Sequence, residues 1–235
     1  MSVNHIVGTF MLATSAEVQH GVQWYDTAYQ IAKRIAIQSG LNTETVAAVI
    51  AALSPNNKWE RNIKDAENVI AAFMCGGVSD AQAVKVCTYK SNLAKAIAIL
   101  EADHCDYESI LSGPKVTEFY HCIIGETDVC IDGHAYSIWF GERLTMKEVP
   151  SIGKKLRQTI KDDYIAATLF INENSDEQFT PAQIQAITWV THKRVHNVWS
   201  VKAGGKVQTL THTLAHTEWV LLSPCIWSLI VRLVV

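Results

Sequence analysis

Apolar residues recur at helical spacing along most of the chain. Between positions 22 and 39 they return every three or four residues, and Gly40 ends the pattern. Asn42 is a suitable N-cap for the next segment, which is apolar on nearly all sides from position 46 to 53. A third amphipathic pattern begins near Trp59. These patterns predict three consecutive helices, and the second of them should be buried.

Helical patterns continue beyond the third helix, which Gly76-Gly77 should end. Thr180-Pro181 is a typical helix start, because proline fits the first turn of a helix. Few segments alternate between apolar and polar residues with period two, so the fold class is predicted to be all-α. The remaining predicted helices lie at 79–87, 90–101, 107–111, 115–124, 135–143, 151–173 and 181–196.

The amino-acid composition indicates whether the chain can form a core and what net charge it carries. The chain has 235 residues, of which 49% are hydrophobic, and this is ample for a folded core. With 20 basic and 23 acidic residues the net charge is -3, so no global positive field indicates nucleic acid. Any DNA-binding surface must be local. Basic residues that form either such a surface or solvated helix faces are Lys154, Lys155, Arg157, Lys161, Lys193, Arg194, Lys202 and Lys206.

The six cysteines show no Cys-x-x-Cys pair and no Cys/His spacing suited to a metal. We interpret them as buried free thiols and expect no metal site, no metal cluster and no cofactor. The N-terminus lacks the pattern of a secretory signal, which favours a cytoplasmic location. The apolar stretch 219–235 is short and is interrupted by Pro224 and Arg232, so we expect a core or interface segment and no membrane association.

Two segments within residues 45 to 143 carry a family resemblance. They read VAAVIAALSPNNKWERNIKDAENVI and ILSGPKVTEFYHCIIGETDVCIDGHAYSIWFG. The first resembles the buried helix, Leu-Ser turn and following helix of the helix-hairpin-helix DNA glycosylases of the endonuclease III kind. The second resembles that family's hairpin, lysine-bearing helix and Val-Asp-x-His turn. Where the family has Leu-Pro-Gly-x-Gly, this chain has the shorter Leu111-Ser112-Gly113-Pro114.

The resemblance implies a role for each matching residue. Lys115 falls on the family's lysine nucleophile, and Asp132 falls on its aspartate. His134 matches the histidine two places later, and Asn56 lies near the residue that probes the DNA stack. DNA or substrate contacts are expected from Asn56, Asn57, Trp59, Gly113, Tyr120 and His134, and pocket walls from Trp59, Phe119, Tyr120 and Trp139.

Base excision needs this pair of residue types. Departure of a base from C1′ builds positive charge on the sugar, which a carboxylate such as Asp132 stabilises. A neutral amine such as that of Lys115 can attack the same carbon and hold the sugar as a Schiff base. The target base must first be flipped out of the duplex into a pocket.

Each of these residues also has a simpler interpretation. Lys115 could be an exposed lysine in the first turn of a helix. Asp132 could be an N-cap, which is compatible with a catalytic role. His134 is interpreted as a structural hydrogen-bonding residue rather than a catalyst. Asn56 is as well suited to a turn as to a DNA wedge.

The sequence thus predicts a DNA glycosylase, with AP-lyase activity if the amine attacks, and DNA as its partner. Residues 1–199 should form one helical glycosylase-like domain of two lobes with a cleft between them, followed by a C-terminal segment, 200–235, of undetermined structure. Two alternatives remain open at this stage. One is a catalytically inactive module of the same fold that binds DNA or a protein, and the other is an enzyme that modifies DNA bases.

Overall fold

The computed structural model describes residues 2–102 and 106–196. These residues form ten α-helices and no β-strand, which confirms the predicted all-α class. The helices are α1 (Ser2–Met11), α2 (Ser15–Ser39), α3 (Thr43–Leu53), α4 (Trp59–Ala83), α5 (Lys90–Glu101), α6 (Tyr107–Leu111), α7 (Pro114–Ile124), α8 (Gly133–Phe140), α9 (Lys154–Glu173) and α10 (Pro181–Val195). The predicted C-terminal segment 200–235 lies outside the described residues.

Polar caps set several helix starts. Asn42 caps α3 by accepting a hydrogen bond from the Thr45 N–H at 2.9 Å, as predicted. Thr180 and Gln183 form a capping box at the start of α10. A second capping box, Thr14 with Glu17, starts α2 seven residues before the predicted position 22. Both that box and α1 were missed by the apolar pattern.

The Gly76-Gly77 pair interrupts the helical conformation, as predicted. The helix α4 continues to Ala83, and Gly77 has φ 71° and ψ −154°, a conformation that glycine adopts without steric cost. The predicted helix 79–87 corresponds to the part of α4 that follows this break, and it ends early, at Ala83, because Val84 is extended. In the same way α9 begins at Lys154 rather than at 151, with Gly153 as its N-cap.

A first cluster of buried side chains surrounds α3. Every residue from Thr45 to Leu53 is buried, so the prediction that this helix is buried is confirmed. Side chains from α2 and from α4 to α7 pack around it. Trp59, the first residue of α4, and Val116, in the first turn of α7, also pack against this cluster.

A second cluster joins α1, α8, α9 and α10 with residues 129–131. The two clusters meet where α10 packs on α2. There a Cβ on Gly21 would lie 2.5 Å from Ile187 Cγ1 and 2.6 Å from the Ile187 Cα, so only glycine permits this approach. The Tyr25 hydroxyl also donates to Gln185 Oε1 at 2.8 Å across the same contact.

The cysteines and the apolar helices bear on two further predictions. Cys122 and Cys130 are buried free thiols as predicted, whereas Cys75 and Cys87 are exposed, which corrects the prediction for those two. No single described helix is long and apolar enough to span a membrane, although α2 and α3 together reach that length and apolarity across a 116° bend.

Candidate functional site

Lys115 and Asp132 line one cavity of about 630 Å³. Each of these two residues lies at the start of a helix. Lys115 follows Pro114 in the first turn of α7, and Asp132 caps α8 by accepting a hydrogen bond from the Ala135 N–H at 2.8 Å. The N-cap interpretation of Asp132 is therefore confirmed, and the same residue lines the cavity. Between them in the chain, Cys130 also lines the cavity, and its thiol contacts the Lys115 carbonyl oxygen at 3.7 Å.

Aromatic side chains from four helices line the cavity. The ring centroid of Trp24 lies 5.0 Å from that of Trp189 and 5.5 Å from that of Trp59. The rings of Trp59 and Phe119 are 6.4 Å apart and meet edge to face. All four side chains are partly exposed rather than buried. They offer ring faces on which a planar ligand could stack.

Three lysines, Lys58, Lys115 and Lys193, line the cavity with Glu60 and Asp132. The Lys193 ammonium lies 3.9 Å from the centre of the Trp189 ring, a cation–π contact. Burial lowers the pKa of Lys193, although the charges of Glu60 and Asp132 oppose that shift. The cavity thus carries more lysines than carboxylates in a chain whose net charge is -3.

Two asparagines bring buried amide groups to the cavity lining. Asn62 is 2% exposed, and its Nδ2 donates to the Ile50 carbonyl at 3.1 Å. Asn57 Nδ2 donates to Asp65 Oδ2 at 3.0 Å. The Oδ1 atoms of both residues are buried without a hydrogen-bond partner among the described residues. Since these bonds fix which way each amide points, the unpaired atoms are acceptors.

His134 lines the cavity and connects it to a short row of histidines on α10. Its ring meets that of His192 edge to face at 5.8 Å, and the His192 and His196 rings are 4.4 Å apart. Burial, reinforced by the charges of His196 and His134, lowers the pKa of His192 to about 4. His192 is therefore neutral at pH 7. No group of metal-ligating side chains occurs among the described residues.

Two of the basic residues that concentrate in the later half of the chain face inward. Arg157 and Lys161 contact the buried carboxylate of Glu118 at 2.6 and 2.9 Å. Arg194 pairs with Glu17 at 2.7 Å. The alternatives of solvated faces and DNA surface therefore do not describe Arg157 and Lys161. The Arg194 side chain is 43% exposed, as a residue on a solvated face would be, and Lys202 and Lys206 lie outside the described residues.

The cavity includes some of the predicted site residues and leaves out others. Asn57, Trp59, Phe119 and His134 line it with Lys115 and Asp132. Asn56 is exposed with a positive φ of 56° in the turn between α3 and α4, and Gly113 is the N-cap of α7. Neither lines the cavity.

Two predicted pocket walls are corrected. Tyr120 is 6% exposed and packs in the first cluster, where its ring lies 6.1 Å from that of Tyr107. Trp139 donates from Nε1 to Asp163 Oδ2 at 2.6 Å and does not line the cavity. Both lie on helices that reach the cavity, but their positions in the helical turn direct them elsewhere.

Sequence reasoning missed the wall that α2 and α10 supply. The sequence predicted no site residue on α2, and on α10 it indicated only the basic residues Lys193 and Arg194. The spacing of Trp189 and Lys193 was an available signal, because residues four apart on a helix are neighbours. The lining residues that these two helices supply are His20, Trp24, Tyr25, Gln185, Ala186, Trp189, Val190 and Lys193.

A family model supplies the comparison with known proteins. The model of DUF7178, a family of unknown function, matches residues 1–196. The chain belongs to this family. The match includes every residue that lines the cavity. No curated protein and no solved structure matches the sequence.

Proposed function

We propose that the protein is a DNA glycosylase of the helix-hairpin-helix type, which excises a base from a flipped-out nucleotide with Lys115 and Asp132. The observation that carries the proposal is that both residues line one cavity, although sixteen positions lie between them in the chain. A protein that only bound DNA or another protein would not require this juxtaposition.

The distribution of buried side chains supports a two-lobe arrangement. The first cluster contains α2 to α7, and the second contains α1 and α8 to α10. The cavity is lined from both, by residues such as Asn62 and Phe119 on one side and His134 and Val190 on the other. In this proposal the clusters are the cores of the two lobes, and the cavity is the cleft between them.

The aromatic lining supports recognition of a base. Stacking of a base on an aromatic side chain contributes roughly 1–3 kcal/mol, and each base presents a face for it. Trp24, Trp59 and Trp189 are partly exposed, and the Trp24 ring centroid lies 5.5 Å from that of Trp59 and 5.0 Å from that of Trp189. A flipped base that stacks on the exposed part of these rings would lie in the same cavity as Lys115 and Asp132.

The proposed reaction begins with attack on C1′ by the neutral amine of Lys115. The new C–N bond forms as the glycosidic bond breaks, and the base leaves with the bonding electrons and takes up a proton from solvent water. Asp132 stabilises the positive charge on the sugar. The C1′–O4′ bond then opens, O4′ takes the proton that the amine gives up, and a protonated imine joins Lys115 to the sugar.

DNA phosphates would be held chiefly by the lysines at the cavity. The hairpin that serves this purpose in the family is short here, because α6 has five residues and only Ser112 and Gly113 separate it from α7. Its Leu111 carbonyl and Ser112 hydroxyl already accept hydrogen bonds from Lys95 Nζ at 2.7 and 2.8 Å. Lys58 and Lys193 are therefore assigned to the phosphates that flank the flipped nucleotide.

The test is a base-release assay on duplex and single-stranded oligonucleotides that carry a panel of modified bases. We expect release of one class of base by the wild type and loss of release in Lys115→Ala. Binding of the oligonucleotides without release from any of them would favour the binding-only alternative. A covalent change to a base that stays attached would favour the base-modification enzyme. Either result would contradict the proposal.

A further inference from the structure

Glu118 lies one helical turn after Lys115 in α7, and its side chain is directed into the protein. It is 3% exposed. Its Oε2 accepts hydrogen bonds from the Ile131 N–H at 3.0 Å and from Arg157 Nη1 at 2.6 Å. Its Oε1 pairs with Lys161 Nζ at 2.9 Å. Both carboxylate oxygens are thus engaged, and one of them holds the backbone of the residue that precedes Asp132.

Arg157 completes a clamp on that residue. The same Nη1 that donates to Glu118 also donates to the Ile131 carbonyl at 2.8 Å. Ile131 is fully buried, and both of its backbone polar groups are held by this pair of side chains. The clamp therefore joins α7, α9 and the chain segment that ends at Asp132.

A second contact fixes the beginning of the same segment. Lys161 pairs with Asp128 as well as with Glu118. Asp128 in turn contacts His121 Nδ1 at 3.0 Å, and His121 is on α7. The segment 128–131 is consequently held at both ends by α7, the helix that carries Lys115.

A buried ion pair is weak evidence for stability, since the cost of removing charges from water offsets much of their attraction. Here the charges act on the backbone next to Asp132. We propose that Glu118 is a positioning residue, which fixes Asp132 relative to Lys115 through the Ile131 backbone. The role rests on the proposed glycosylase function. Displacement of a reacting group by about 1 Å can lower a rate about 100-fold, so such a clamp would affect the chemical step.

The test compares Glu118→Gln with Glu17→Gln. Glu17 is also a largely buried glutamate paired with an arginine, but it caps α2 and does not line the cavity. The measurements are the single-turnover rate constant for excision of the best base of the panel, the Kd for the same oligonucleotide, and hydrogen exchange of the Ile131 amide. If Glu118→Gln does not fold, Arg157→Lys is measured instead, since it keeps the charge and changes the geometry of the clamp.

We expect Glu118→Gln to lower the rate constant about 10- to 100-fold with a Kd within about twofold of the wild type, and to speed exchange at Ile131. Glu17→Gln should change none of these. Equal rate constants for Glu118→Gln and the wild type would overturn the positioning role while leaving the glycosylase intact. A wild type that releases no base would instead overturn the proposed function, and the positioning role with it.

Discussion

Two walls of the cavity are built in different ways. The reaction wall consists of Lys115, Cys130, Asp132 and His134, and lies on the start of α7 and on residues 130–134. The stacking wall consists of His20, Trp24, Gln185, Trp189 and Lys193, on α2 and α10. Buried charges at Glu118 and Arg157 hold the reaction wall, whereas close helix packing at Gly21 holds the stacking wall.

This difference matches what each wall must do in the proposed reaction. A carboxylate and an amine that share one carbon atom must be placed to a fraction of an ångström, and short charged hydrogen bonds restrict position most strongly. Ring faces that stack on a base tolerate more displacement, because stacking depends on area rather than on one bond. Changes in the reaction wall should therefore affect the rate, and changes in the stacking wall should affect binding.

The largest effect is expected for Asp132→Asn. The excision rate constant should fall roughly 100-fold or more, because the charge that stabilises the sugar cation is removed. Folding stability should hardly change, since asparagine caps a helix as well as aspartate does. Single-turnover kinetics and thermal unfolding measure the two. Asp163→Asn, a change outside the cavity, is the control. Equal excision rate constants for the two variants would contradict the claim that the reaction wall controls the rate.

Gly21→Ala should disturb the stacking wall through its packing. The new methyl carbon would meet the Ile187 backbone at 2.6 Å, so α2 and α10 must move apart. We expect a loss of about 1–3 kcal/mol in the free energy of unfolding, measured by urea denaturation. The matched control is Gly8→Ala in α1, where nothing lies within 4 Å of the added carbon. An equal effect of the two variants would show that the helix contact is not close.

Trp189→Leu should weaken DNA binding without abolishing the attack of the amine. Loss of one stacking face should raise the Kd for an oligonucleotide with the target base about 10-fold. Reaction with an abasic site, which has no base to stack, should stay within about twofold of the wild type. Trp139→Leu, also a tryptophan but outside the cavity, should change neither. An equal loss on abasic DNA would place Trp189 in the reaction wall.

The smallest effect concerns His192, which connects the walls through its contact with His134. Burial lowers the pKa of His192 from its ordinary value of 6.5 to about 4, with His196, His134 and Arg143 acting in the same direction and Asp132 against it. The unfolded chain therefore binds the proton more readily, and stability falls as the pH drops from 6.5 toward 4.

Lowering the pH from 6.5 to 5.5 should cost about 1 kcal/mol through His192, and His192→Asn should remove that part of the slope. Urea denaturation at several pH values measures it. A slope unchanged by the substitution would show that His192 takes up its proton equally well in the folded state.

The sequence predicted the reaction wall better than the stacking wall. Lys115 and Asp132 are close in the chain and stand at helix starts marked by Pro114 and by the Asp-Gly turn, so local signals place them. Trp24 and Trp189 come from helices far apart in the chain. The packing of α2 against α10, which is closest at Gly21 and Ile187, brings these two together, and a helical pattern cannot indicate which distant helix a face will meet.

The inward orientation of two basic side chains was not predicted for the same reason, because a local pattern does not indicate contacts with distant helices. Arg157 and Lys161 belong to a run of basic residues whose pattern is typical of a solvated face. Their partner Glu118 lies 39 residues from Arg157 in the chain. The sequence around Arg157 and Lys161 does not indicate that they contact a buried glutamate on another helix, so these ion pairs could be found only in the structure.

The most direct measurement is borohydride trapping on an oligonucleotide with an abasic site, followed by mass spectrometry of the peptide that carries the sugar. Three lysines line the cavity, and the account predicts that the reduced imine is on Lys115 and not on Lys58 or Lys193. The adduct should disappear in Lys115→Ala and persist in Lys193→Ala. A sugar attached to Lys193, or the same yield of adduct in Lys115→Ala, would contradict the account.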